Sequence, residues 1–190
     1  MRLFVAVVPP PEAVDHLAAG VQRARSAPDL AVDALRWARP ETWHLTLGFL
    51  GDVDDRLLPE LQQRLARAAG RHPACRVALQ GAGRFDGRVL WVGFGGERAG
   101  LRRLAASVQA AARRAGAPVD ERPLRAHLTL ARARETVDLR PAVAALGDYA
   151  GPAWTADEAV LVRSHLGAGP GRTAVHEVVS RHPLAPPPEV

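Results

Sequence analysis

The tetrapeptide His-Leu-Thr-Leu occurs twice without change, at 44–47 and at 127–130. Around the first copy Trp43, Leu45, Leu47 and Phe49 alternate with His44, Thr46 and Gly48, and the second copy alternates in the same way. That period of two is the signature of a strand with one face in a core. Side chains two apart share a face. His44 and Thr46 therefore project to one side while Leu45 and Leu47 enter the interior, and His127 and Thr129 do likewise. An identical polar pair on two strands 83 positions apart, from 44 to 127, implies two similar lobes about a pseudo-twofold axis, their polar faces meeting across one cleft.

The remaining pattern supplies strands and helices in an order that fits this. Arg2 to Val8 reads as a strand, and Val14, Leu17, Ala18 and Val21 mark a helix face. Leu35 to Ala38 and Trp43 to Leu50 read as strands and Leu57 to Ala69 as a helix. Cys75 to Ala82 and Val89 to Phe94 form two strands around a turn rich in Gly and Asp, followed by an amphipathic helix from Leu101 to Arg114. The second half repeats the order: a strand from His127 to Ala131, a short helix near Leu139 to Leu146, then paired strands from Ala156 to Leu166 and from Val175 to Arg181. With 190 residues, 47% of them hydrophobic, one core is expected. We expect a single bilobal α+β domain over 1–190, with two pseudo-symmetric lobes, antiparallel sheets lining a central cleft and helices outside. Four prolines in the last eight residues, 183–190, predict a tail that is poorly ordered or extended at its end.

Composition removes several chemistries. All 25 positive side chains are arginine, so there is no lysine to carry an adenylate, a Schiff base or a P-loop phosphate contact. Cys75 is the one cysteine, which excludes an internal disulfide and a Cys-rich zinc site, and its apolar neighbours read as those of a buried structural thiol. No apolar run reaches the roughly 18 residues of a membrane span, and the N-terminus begins like a strand in place of a secretion signal. A cytoplasmic monomer with no obligate protein partner is the expectation. The net charge of +5 favours acidic partners such as RNA.

One His-x-Thr on a half-buried strand is usually a satisfied polar residue; two identical copies point to chemistry. Opening a cyclic phosphodiester with water needs a base for the water proton and an acid for the departing ribose oxygen. Two imidazoles, with ordinary pKa values of about 6.5, can divide those tasks near neutral pH. The Thr46 and Thr129 hydroxyls can donate to phosphate oxygens as charge builds on them. A zinc site would need a third ligand in register, which neither copy has, so no metal and no cofactor is expected. His16, His72, His165, His176 and His182 share no repeated pattern, and none is expected to be catalytic. Trp37, Trp43 and Trp91 could stack a base, although Trp at alternating strand positions favours a core role, and Phe4 is ambiguous in the same way. Gly93 to Gly96 reads as a tight turn, and Arg102-Arg103 and Arg113-Arg114 as the solvated side of a helix.

The sequence resembles the RNA 2',3'-cyclic phosphodiesterase family, also called bacterial 2'-5' RNA ligases, within the 2H phosphoesterase superfamily. The resemblance runs nearly end to end, through Arg2-Leu3-Phe4-Val5-Ala6, Leu35-Arg36-Trp37, Trp43 to Gly51 and Arg88 to Gly93, then Arg122 to Arg132 and Leu161 to Gly167. It implies hydrolysis of a terminal 2',3'-cyclic phosphate to a 2'-phosphate, on RNA ends or small cyclic nucleotides, with His44 as proton donor and His127 as acceptor. The residues alone do not order that pair. The resemblance also brings Arg132, which matches the family's arginine after its second motif, to the phosphate. Two other readings stay open: ATP-independent 2'-5' joining at the same site, and a non-catalytic RNA-binding module.

Overall fold

The structure, a computed structural model, describes residues 1–26, 32–120, 125–169 and 173–187. Arg122, Pro123 and Leu124, which precede the second repeat, and the last three residues of the tail lie outside the described residues.

In chain order the elements are β1 (Arg2–Val7), α1 (Pro11–Arg25), β2 (Leu35–Trp37), β3 (Leu45–Asp52), α2 (Leu58–Ala69), β4 (Cys75–Phe85), β5 (Val89–Gly96) and α3 (Arg98–Arg114). They continue with β6 (His127–Ala133), α4 (Arg140–Leu146), β7 (Ala150–Ala156), β8 (Glu158–His165) and β9 (Val175–Pro183). The strands form two sheets, of order β3-β1-β8-β9 and β2-β6-β5-β4-β7, in which every ladder is antiparallel. Helices α2 and α3 pack together, with α3 against β3, while α1 lies against α4 and β7. Each sheet carries one copy of the repeated tetrapeptide, on β3 and on β6.

The lobes are not the two halves of the sequence. The first sheet joins β1 and β3 to β8 and β9, because the antiparallel partner of β1 on its second edge is β8, with Phe4 opposite Val162 and Ala6 opposite Val160. β1 is an interior strand with side chains packed on both of its faces, and all five residues from Leu3 to Val7 are buried. Leu3, Val5 and Val7 enter the main core with Leu17, Leu45, Leu47, Leu128 and Leu130. Phe4 and Ala6 face the other way and pack with Val160 and Val162 in a separate small cluster on the cleft side.

β4 and β5 are joined by a two-residue turn in which Asp86 and Gly87 both have positive φ, 49° and 61°, closed by a hydrogen bond from the Arg88 N–H to the Phe85 carbonyl of 2.9 Å. Asp-Gly in that conformation matches the right-handed twist of a hairpin. Gly93 and Gly95 fall inside β5 and not in a turn; Gln80 of the neighbouring strand lies over them where a Cβ would stand. The proline-rich tail is tied down further than its composition suggests. Pro183 ends β9, Leu184 donates to the Asp157 carbonyl at 2.7 Å, and Ala185 pairs with the segment at His72 to Ala74. Cys75 is buried, and burial pushes its thiol up from the usual value, as fits a structural role. No described helix is long and apolar enough to cross a membrane.

Candidate active site

His44 directly precedes β3, and the short 3-10 turn Pro40–Thr42 folds back before it. The turn aims the Thr42 carbonyl at the ring, and His44 Nδ1 lies 2.7 Å from that oxygen. His127 opens β6 and repeats the arrangement, its Nδ1 2.6 Å from the carbonyl of Arg125. A carbonyl only accepts, so each Nδ1 carries the hydrogen. In the neutral ring this leaves Nε2 with a free lone pair, and both imidazoles are fixed in the same tautomer.

Aromatic rings hold both histidines. His44 stacks on Phe4 with centroids 4.6 Å apart and planes inclined by 28°. His127 meets Phe85 edge-on at 5.0 Å and Trp91 at 6.2 Å. Trp91 can lie along the sheet because its partner on β4 is Gly83, where a Cβ would overlap the indole. Burial pulls His44 down from 6.5 to about 4. The Thr42 carbonyl opposes that drop, and the charges of His176, His127 and Arg132 add to it. Burial also lowers His127, opposed by the Arg125 carbonyl and reinforced by Arg132 and Arg125. Arg132 thus acts on both imidazoles, and the two rings act on the same electrostatic space.

Thr46 and Thr129 are half-buried beside their histidines, paired across the sheets with Ala6 and Trp91, and neither hydroxyl has a protein partner among the described residues. Arg132 joins them through a bulge. Trp91 pairs with Thr129 but Leu90 pairs with Ala131, so the register shifts at Leu130. Without that extra residue Ala131 would face the cleft and Arg132 the core. With it, Ala131 is buried and Arg132 stands on the face of His127 and Thr129.

The remaining histidines divide. His16 bonds to the Tyr149 hydroxyl (3.0 Å), His72 to Ser107 Oγ (2.7 Å), His182 to Ser180 Oγ (3.0 Å), and His165 pairs with Glu177 (2.9 Å). These are structural roles. His176 sits on the cleft face of β9, with its ring 5.1 Å from both His44 and Phe4. Trp91 departs from the core role expected of it, since it lies beside His127, whereas Trp43 is buried in the core and Trp37 packs against the core beneath Arg25. The signal for His176 and Trp91 lay in cross-strand register, Ser164 opposite His176 and Gly83 opposite Trp91, which sequence alternation on a single strand does not reveal. Among the described residues no three His, Cys, Asp or Glu side chains converge as a metal site.

Two antiparallel sheets, each carrying one of these histidines, have the fold of the LigT-type 2H phosphoesterases. The structure of Escherichia coli LigT complexed with 3'-AMP superposes with a TM-score of 0.77 at 29% identity, covering 96% of this chain and 97% of that one. A family model described as the 2'-5' RNA ligase superfamily matches residues 9–168, and the chain belongs to that superfamily. Curated relatives include an RNA 2',3'-cyclic phosphodiesterase of Geobacillus stearothermophilus, 29% identical over 158 residues. One of the same name from Archaeoglobus fulgidus is 32% identical over 142 residues, 70% of this chain and 73% of that protein. The Geobacillus match covers 80% of this chain but 49% of that protein, so the chain spans about half of its length.

Proposed function

We propose that this protein hydrolyses the terminal 2',3'-cyclic phosphate of RNA to a 2'-phosphate by paired acid-base catalysis at His44 and His127. The observation that carries the reading is the matched state of the two imidazoles, each with Nδ1 donating to a backbone carbonyl and Nε2 left for proton transfer. The relatives named RNA 2',3'-cyclic phosphodiesterase support the substrate.

In this scheme His127 Nε2 takes a proton from water as its oxygen attacks phosphorus. The bond from phosphorus to the 3'-oxygen breaks, and protonated His44 delivers its proton to that oxygen. The products are a 2'-phosphate and a 3'-hydroxyl; exchange with solvent returns both rings to their starting states. Thr46, Thr129 and Arg132 meet the non-bridging oxygens, where donors that are already oriented stabilise the developing charge. The depressed pKa of His44 gives the substrate a part in arming the acid. Without an anion the ring is neutral at pH 7, and the negative phosphate beside it favours the imidazolium. Every proton transfer is served by an imidazole, and we infer a metal-free reaction.

Either His44→Ala or His127→Ala is expected to lower turnover by about 10² to 10⁴-fold, the usual worth of a positioned acid or base. The double variant should lose little more, because residues that act as one unit are non-additive. Steady-state kinetics on a cyclic-phosphate oligonucleotide checks this, and losses that multiply cleanly would argue against a concerted pair. The superfamily's name favours a second reaction at the same site, ATP-independent 2'-5' joining, in which an RNA 5'-hydroxyl replaces water as the nucleophile and the 3'-oxygen leaves as before; analysis of product length separates joining from hydrolysis.

A further inference from the structure

β2 forms the edge of the second sheet and pairs with β6 in the register Leu35 to Ala133, Arg36 to Arg132 and Trp37 to Ala131. Arg36 therefore stands directly opposite Arg132, on the face that the β6 bulge turns toward the cleft. Side chains in that relation have Cβ atoms about 4.5 to 5.5 Å apart, and like charges there repel. Both arginines are exposed, and neither has a hydrogen bond or ion pair to the protein among the described residues.

An open pocket of about 570 Å³ borders the pair, with Arg134 on its rim. Asp33 and Glu135 also line it, but neither is ion-paired to these arginines among the described residues. Arg132 lines the pocket, and its charge also reaches both His44 and His127. Two guanidiniums in register, without an ion-pair partner among the described residues and beside a pocket that Arg132 shares with the proposed phosphate site, have the chemistry of an anion clamp.

We propose that this pocket is a second phosphate subsite, which holds the phosphodiester preceding the cyclic end, with Arg36 as its own ligand and Arg132 shared with the reacting phosphate. The proposal rests on the phosphodiesterase reading above and deepens it, giving the RNA strand a contact of its own beyond the reacting phosphate. A cyclic mononucleotide leaves the pocket empty, whereas a trinucleotide ending in a cyclic phosphate fills it.

The test compares kcat/KM for a 2',3'-cyclic mononucleotide and for such a trinucleotide, in wild type, Arg36→Ala and Arg36→Lys. Wild type should favour the trinucleotide, and Arg36→Ala should reduce the trinucleotide-to-mononucleotide ratio by about tenfold or more, the worth of one charge-assisted phosphate contact. Arg36→Lys, which keeps a point charge but loses the fork, should fall between. Binding of a fluorescent, 3'-phosphorylated trinucleotide, followed by anisotropy against salt, gives a readout that needs no turnover. Removing one phosphate contact should make the slope of log K against log salt shallower by about 0.7. The melting temperature of Arg36→Ala should not fall, because a like-charge pair has been relieved. An unchanged ratio with an unchanged salt slope overturns the subsite. If wild type turns over neither substrate, the phosphodiesterase reading fails, and the salt slope still decides the pocket by itself.

Discussion

Each candidate catalytic ring is tied through Nδ1 to the carbonyl two residues before it, so its chemistry is confined to one nitrogen. Its burial then sets the pH at which that nitrogen changes state. His44 titrates at about 4 in the free protein and His127 below 6.5. The pH profile of kcat/KM, which reports the free enzyme, should therefore be a bell with both limbs below 6.5. The profile of kcat reports the complex, where the bound anion stabilises the imidazolium, and its limbs should lie at higher pH. Stopped assays across pH 3.5 to 8.5 on one cyclic-phosphate substrate measure both; coincident bells centred above 7 would contradict the assigned environment. At this scale the sequence was informative, because His44, Thr46, His127 and Thr129 sit in local alternation that needs no knowledge of partners. Their supports were hidden. Phe4, Phe85 and Trp91 reach the histidines from other strands, and His176 comes from β9, far along the chain.

At the scale of elements, the site depends on how β4, β5 and β6 lie together. Gly83 leaves the space that Trp91 fills, and Trp91 with Phe85 backs His127. Gly83→Ala forces the indole to move, at a cost of about 1 to 3 kcal/mol for overpacking. The expected outcome is a changed tryptophan emission spectrum and a fall in kcat greater than the fall in stability explains; unchanged kcat with a lower melting temperature would leave Trp91 a packing role alone. Most strands and helices were legible from periodicity. β7 was not, because Gly151 and Pro152 argue against a strand; proline is tolerated there since β7 is the edge of its sheet. The bulge that turns Arg132 into the cleft was equally hidden, being a property of pairing and not of composition.

Across the whole molecule, the interleaving of the two sheets was the least legible feature, because the pairing of β1 with β8 joins residues about 160 positions apart and leaves no local trace. That closure buries histidines that the unfolded chain exposes. Burial lowers His44, His72, His127, His176 and His182 alike. A histidine whose folded pKa lies below its unfolded value binds fewer protons when folded in the interval between the two, so stability falls as pH is lowered through that interval. For His44 the interval runs from 6.5 down to about 4. Melting temperatures in matched salt should drop from pH 7 to pH 5, and His44→Phe should flatten the drop; a melting temperature that rises on acidification would contradict the burial of these rings.

Incubating the protein with an oligoribonucleotide that ends in a 2',3'-cyclic phosphate, in EDTA and without ATP, and locating the product's phosphate by phosphorus NMR tests the two-histidine reaction itself. The expected product is a 2'-phosphate that forms without metal and disappears with His44→Ala or His127→Ala. Unchanged substrate despite tight RNA binding, or activity that EDTA abolishes and a metal restores, would contradict it.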